Sequence, residues 1–101
     1  SFFQSNHEGA IVDFIQTLDK NELSGVIINA GALSQVGYSI LDALLDLSPV
    51  KFIEIHISNV YTREEFRQKS VFAKFALGQI CGLGTYGYLA AMNFFISKKY
   101  E

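Results

Sequence analysis

Tryptophan is absent, and cysteine, methionine and proline occur once each. The single cysteine, Cys81, excludes a disulfide framework and any zinc site built from several cysteines. The two histidines, His7 and His56, are far apart in the chain, so no metal site and no cofactor is expected. Basic excess is lacking too. Eight Lys and Arg stand against ten Asp and Glu, a net charge of −2, which excludes the electrostatic footprint of a nucleic-acid binder. No apolar run reaches the roughly eighteen residues of a membrane span, and no basic segment followed by an apolar stretch suggests a secretory leader. What is present is a chain that is 50% hydrophobic and 18% charged, which is the composition of a folded domain rather than a disordered one. Residues 1–101 make one domain, able to bury roughly two-thirds of the surface its unfolded chain exposes. Composition therefore predicts a globular, cytoplasmic protein and names no chemistry.

The chain opens Ser1-Phe2-Phe3-Gln4, which reads as the end of a strand, with no initiating Met. This predicts a fragment, a cleaved chain or a truncated one. Beyond it, Ser5 to Gly9 reads as a loop with capping residues. Ile11, Phe14, Ile15 and Leu18 fall at i, i+3, i+4 and i+7, the spacing of an amphipathic helix. Val26-Ile27-Ile28 is a short continuous apolar run, as in a strand covered on both faces. A second helix is expected over Tyr38 to Leu47, stopped by Pro49. Phe52 to Ile57 alternates as a strand, with Glu54 and His56 on one face. Thr62 and Glu65 have the spacing of a capping box, predicting a short helix through Gln68. Phe75 to Cys81 reads as a fourth strand. The last helix is expected over Tyr86 to Lys99, with Leu89, Met92, Phe95 and Ile96 inward and Lys98 and Lys99 complementing its C-terminal dipole. Strands alternating with helices predict right-handed crossovers and an α/β fold with a parallel sheet. Ligands bind beyond the carboxyl ends of such strands, where Asn29 to Gln35, His56 to Tyr61 and Gly82 to Thr85 place polar groups.

Glu54 and His56 form the sharpest pair. Two apart on a strand, they share a face, and a carboxylate beside an imidazole orients the ring for general acid work. The competing reading is a polar pair at a solvated sheet edge. Ile57 and Ser58 follow at the strand end, where backbone N–H groups and a hydroxyl can hold an anion or simply make a turn. Arg63 and Arg67, four apart, share a helical face and can bind a small substrate or pair with Glu64 and Glu65. Asn29 ends a buried strand, either as an amide for a polar ligand or as a turn residue. Gly82-Leu83-Gly84-Thr85-Tyr86-Gly87 matches G-x-G-x-x-G between a strand and a helix. Too little sequence follows for a second strand to present an acid to a ribose, so tight strand-to-helix packing accounts for the glycines better than a nucleotide or flavin does. Cys81 reads as a buried small hydrophobe.

Several segments carry a family resemblance that runs in order along nearly the whole chain. They are Phe2 to Gly9, Ile27-Ile28-Asn29-Ala30-Gly31-Ala32, Glu54-Ile55-His56-Ile57-Ser58-Asn59-Val60, Arg63-Glu64-Glu65-Phe66-Arg67 and Gly82 through Tyr88. Together they resemble type II 3-dehydroquinate dehydratase. The resemblance implies a flavodoxin-like, three-layer α/β sandwich with helices on both faces of a parallel sheet. It also implies the cofactor-free dehydration of 3-dehydroquinate to 3-dehydroshikimate in the shikimate route. In that family a lid tyrosine, helped by an arginine, removes a proton alpha to the ketone, and a histidine protonates the departing hydroxyl. His56 matches that histidine and Glu54 the acid supporting it. Asn29 and Arg67 match residues that bind substrate hydroxyls, and the backbone at Ile57 and Ser58 matches the carboxylate site. Arg63 matches a further arginine near the site. Asp42 matches a residue reaching a neighbouring subunit's site, implying trimers assembled into a dodecamer.

Two departures stand out. Gln35 occupies the position of a substrate-binding histidine, within Ser34-Gln35-Val36-Gly37 where the family has Thr-His-Thr-Ser. The resemblance also leaves the family's first, central strand and its lid without a counterpart. A companion chain carrying that portion is one expectation. A non-catalytic binding or assembly module that kept the fold is the other.

Overall fold

The computed structural model describes residues 1–97. It contains three α-helices, three strands and four 3-10 turns, with strand and α-helix alternating except between the second and third strands, which 3-10 turns join. Helix α1 (Glu8–Gln16) leads through a turn at Lys20–Glu22 to strand β1 (Val26–Ile28). A 3-10 turn at Gly31–Gln35 precedes α2 (Tyr38–Leu45), and β2 (Phe52–His56) follows. Two further 3-10 turns, Val60–Thr62 and Glu65–Gln68, lie before β3 (Gly78–Cys81) and α3 (Tyr86–Ser97). The sheet is parallel throughout, in the order β1-β2-β3. Val26 pairs with Phe52 on one side of β2, and Ile53 with Gly78 on the other.

Every residue of the central strand is buried, because both faces of the sheet are covered. Strand alternation sends Phe52, Glu54 and His56 one way and Ile53 and Ile55 the other. On the first face Phe52 joins Ile15 of α1, Ile40, Leu41 and Leu44 of α2, and Phe72. On the second, Ile53 and Ile55 pack with Ala91 and Phe95 of α3. The result is the expected three layers, with helices on both faces. Burying each such aliphatic or aromatic side chain contributes about 1.5–3 kcal/mol. Among the described residues no helix is long and apolar enough to cross a membrane.

Several local expectations are corrected. Phe2–Gln4 is not a strand. It lies off the sheet, with the Phe3 ring stacked on Phe14 of α1 at 4.4 Å. Thr62 does not cap a helix. Its hydroxyl donates to the Asn59 carbonyl at 2.8 Å, and Asn59 caps its own turn by accepting from Tyr61 N–H. Arg63 is then extended, so the expected helix is broken into two 3-10 turns. The fourth expected strand starts late. Phe75 and Ala76 N–H groups both donate to the Phe72 carbonyl in a turn, and the ladder begins only where Leu77 N–H meets Phe52 O at 2.8 Å.

The inward face of α3 also differs. Gly87, Ala91 and Phe95 are the buried residues, whereas Leu89, Met92 and Ile96 are 48%, 50% and 70% exposed. Of the four residues expected inward, only Phe95 is. The helix is apolar on nearly all sides, so hydrophobic spacing alone does not select a face. Small residues at 87 and 91 do, because they let the helix axis approach the sheet. Lys98 and Lys99 lie outside the described residues.

Gly25 is the other half of that close approach. A Cβ there would overlap the Phe95 ring. The expected outcome for Gly25→Ala is a loss of about 1–3 kcal/mol from overpacking, read as a lower midpoint in urea unfolding. Combining it with Phe95→Leu should lose less than the sum of the two single changes, because the ring is the obstacle.

Candidate functional site

A cleft of about 370 Å³ opens beyond the carboxyl ends of β1 and β2, lined by Asn29, Gly31, Ala32, Gln35, His56, Ile57, Ser58, Val60, Arg63 and Arg67. Parallel strands place their carboxyl ends at one edge of the sheet, and the loops leaving those ends form its walls. Seven of the residues singled out from sequence therefore meet in one cavity: Asn29, Gln35, His56, Ile57, Ser58, Arg63 and Arg67. Glu54 sits behind His56. Asp42 does not join them: it is exposed on α2 and absent from the cleft wall.

The centre of the site is the pair on β2. His56 Nε2 lies 2.7 Å from Glu54 Oε2, with the histidine 7% and the glutamate 0% exposed. The solvated-edge reading of this pair is therefore excluded: β2 is the central strand. A carboxylate without water must be paired and hydrogen-bonded, and Glu54 is. Its Oε2 also accepts from Ser70 Oγ at 2.6 Å, and its Oε1 accepts from Gln79 Nε2 at 3.1 Å. With Nε2 engaged by Glu54, Nδ1 is the ring nitrogen left to the cleft.

Ser70 and Gln79 were not singled out from sequence. Gln79 could have been, had the register been known, since it pairs directly with Glu54 across β2 and β3. Ser70 lies in an irregular segment, and no sequence signal pointed to it. Its hydroxyl also accepts from Phe72 N–H at 3.1 Å.

Around the pair the wall is polar and cationic. Arg63 Nη1 reaches Ser58 Oγ at 3.5 Å. Arg67 Nε donates to Glu64 Oε1 at 3.2 Å, and its guanidinium lies 4.8 Å from the Phe66 ring centroid. A backbone hydrogen bond at Glu64, followed by the bond from Arg67, holds the Glu64 carboxyl below its ordinary range. The surface-pairing and cleft-lining readings of Arg67 thus coexist. Asn29 likewise does both things. Its Oδ1 accepts from Gly31 N–H at 3.2 Å in a turn, and its Nδ2 donates to Tyr88 Oη at 3.0 Å. Gln35 Nε2 donates to the Lys69 carbonyl at 3.2 Å, which ties the loop after β1 to the segment after Arg67.

The glycine motif stays out of the cleft. Gly82 and Gly84 adopt φ of 87° and 58°, a region that favours glycine, and a Cβ at Gly82 would stand 3.2 Å from Asn59 Cβ. These glycines shape the turn from β3 into α3. Among the described residues no group of three His, Cys, Asp or Glu could hold a metal ion.

Cys81 pairs with His56 across the sheet. Burial pushes its thiol up from the ordinary value, and the charge of Glu54 adds to the rise. The thiolate is the reactive form, so folding should suppress Cys81 chemistry. The expected outcome is slow alkylation by iodoacetamide at pH 7. Its rate should climb only at a higher pH in the folded chain than in urea, as a mass-spectrometric time course would show.

Comparison with known proteins gives the family. Residues 1–96 match the family described as Dehydroquinase class II. The 3-dehydroquinate dehydratase of Lachnospira eligens is 52% identical over 91 residues, covering 90% of this chain and 62% of the relative. That of Bacillus subtilis is 46% identical over 99 residues, covering 98% of this chain and 66% of the relative. The crystal structure of type II dehydroquinase from Butyrivibrio crossotus superposes with a TM-score of 0.86 at 49% identity, over 92% of this chain and 64% of that one. The Propionibacterium acnes enzyme gives 0.82 at 33% identity, over 94% and 68%. The chain thus spans about two-thirds of the length of the relatives it matches. With the parallel sheet of that flavodoxin-like fold and the sequence match running from residue 1 to residue 96, the chain belongs to the class II dehydroquinases.

Proposed function

We propose that the protein dehydrates 3-dehydroquinate to 3-dehydroshikimate, with His56 as general acid. The observation that carries this reading is the His56–Glu54 contact of 2.7 Å, set at the wall of a polar, cationic cleft. Its support is the name of the relatives, each a 3-dehydroquinate dehydratase. A proton alpha to the ketone is removed and an enolate forms. The enolate then collapses, the carbon–oxygen bond to the hydroxyl breaks, and His56 gives its proton to that oxygen, so that water leaves. Glu54 orients the ring and stabilises positive charge on it before the transfer.

The cleft wall holds no tyrosine and no carboxylate. The base therefore belongs to a group outside this lining, which the family resemblance makes a lid tyrosine. The N–H groups of Ile57 and Ser58, with the Arg63 charge beside them, take the substrate carboxylate. Asn29, Gln35 and Arg67 take hydroxyls. Asp42, exposed on α2, serves the cleft of a neighbouring copy in a dodecamer built of trimers. The chain acts in the cytoplasm, its 101 residues part of one domain, and a companion segment or chain completes the lid. A binding module without turnover is the second reading, favoured by the tethered Gln35 amide and by the lack of a base in the lining.

The test is His56→Ala in the intact protein. Turnover of dehydroquinate should fall by about 10²–10⁴-fold, the usual contribution of a general acid, with substrate affinity by calorimetry nearly unchanged. Retained turnover would remove His56 from the chemistry. Binding with no turnover even in the unaltered protein would establish the second reading.

A further inference from the structure

The reading of Glu54 as the group that orients His56 raises the question of what orients Glu54. We propose that Gln79, locked by Tyr61, is a positioning residue that sets the Glu54 carboxylate and, through it, the His56 ring. The inference rests on the catalytic reading above only in its kinetic arm.

Glu54 Oε2 receives two donors, His56 Nε2 and Ser70 Oγ, whereas Oε1 has one, Gln79 Nε2 at 3.1 Å. Rotation of the carboxylate about its last bond would break all three contacts. With Oε1 released, only the two bonds on Oε2 resist that rotation. Gln79 is thus the contact that holds the plane of the carboxylate rather than one corner of it. Parallel register places it there, since Gln79 pairs with Glu54 across β2 and β3, and registered residues of neighbouring strands project on the same side of the sheet.

An amide has two ends, and only its NH₂ end can face a carboxylate. At Gln79 the carboxylate makes that choice, and Tyr61 anchors the other end, its hydroxyl donating to Oε1 of the amide at 2.9 Å. A flipped amide would set oxygen against the Glu54 oxygen. Tyr61 is placed in turn by the loop after β2, where its N–H donates to Asn59 Oδ1 at 3.1 Å. The same loop contributes Ser58, Val60 and Arg63 to the cleft wall. A line of hydrogen bonds therefore runs from the cleft-wall loop through Tyr61, Gln79 and Glu54 to His56. It couples the placement of that loop to the orientation of the acid.

A purely structural role for Gln79, satisfying a buried carboxyl, predicts lost stability and nothing else. The positioning role predicts more. Gln79→Leu keeps bulk and removes the donor. In the intact protein kcat should fall about tenfold or more, as for loss of one hydrogen bond to a buried charged group, with KM within about twofold. The ¹⁵N signal of His56 Nε2, recorded without substrate, should shift and broaden as its bond to Glu54 loses a single fixed geometry. Tyr61→Phe removes only the hydroxyl of a half-exposed side chain and serves should Gln79→Leu fail to fold. It should show the same spectral change in weaker form, and it should add nothing to Gln79→Leu when the two are combined. An unchanged His56 spectrum in either folded variant would overturn the proposal, as would additive effects in the double variant. If the spectrum moves in a protein that does not turn over dehydroquinate, positioning stands and the catalytic reading falls.

Discussion

The Glu54 carboxyl, buried at the middle of the central strand, is the constraint on which the rest of this structure depends. An ionised carboxylate removed from water is costly unless both its oxygens find donors. Here the answer comes from three places in the chain: His56 two residues on, Ser70 in the irregular segment before β3, and Gln79 on β3 itself. Satisfying one charge thus draws together segments that apolar contact alone would leave free to slide. Ser70 shows the coupling well. The hydroxyl that donates to Glu54 also accepts from Phe72 N–H, and Phe72 is fully buried in the core under α1 and α2. The polar centre and the apolar core share a hinge of one residue.

The cleft follows from topology more than from any single residue. Parallel strands bring the carboxyl ends of β1 and β2 side by side, so Asn29 and His56 meet at one sheet edge although far apart in sequence. The loops beyond those ends are short 3-10 turns pinned by their own side chains, Asn29 to Gly31 N–H and Asn59 to Tyr61 N–H. Surface loops positioned by a rigid scaffold are where binding residues concentrate. The cations reach the cleft from the same stretch: the extended backbone at Arg63 and the turn at Glu65–Gln68 carry both arginines onto one wall.

Glycine marks the points where layers approach. Gly25 receives the Phe95 ring, and Gly87 sits 3.6 Å from Ile80, as an added Cβ would measure it. These contacts decide that α3 presents Gly87, Ala91 and Phe95 to the sheet. They leave Leu89, Met92 and Ile96 on the outer surface, although those are the more hydrophobic residues. Closeness of backbones outweighs side-chain hydropathy at this interface, because the dispersion gained across a tight contact involves many atoms at once.

By itself the sequence determined the α/β class with its parallel sheet, the extent of β1 and the start of α2, and the pairing of Glu54 with His56 on one strand face. Each of these is a local matter, written in hydrophobic period, in short apolar runs and in spacing of two along a strand. The motif segments also carried the family. Tertiary structure alone decided the rest. It left Phe2–Gln4 off the sheet, broke the helix expected after Thr62, and turned the buried face of α3. It also placed Ser70 and Gln79 on Glu54. Three of the four depend on a partner outside the local pattern, the Phe14 ring, the Gly25 backbone, or the register of β3 on β2, whereas the break after Thr62 comes from the Asn59 carbonyl three residues back. Local pattern specifies what a segment can form. Packing against a remote neighbour selects which face, which boundary and which hydrogen bond is realised.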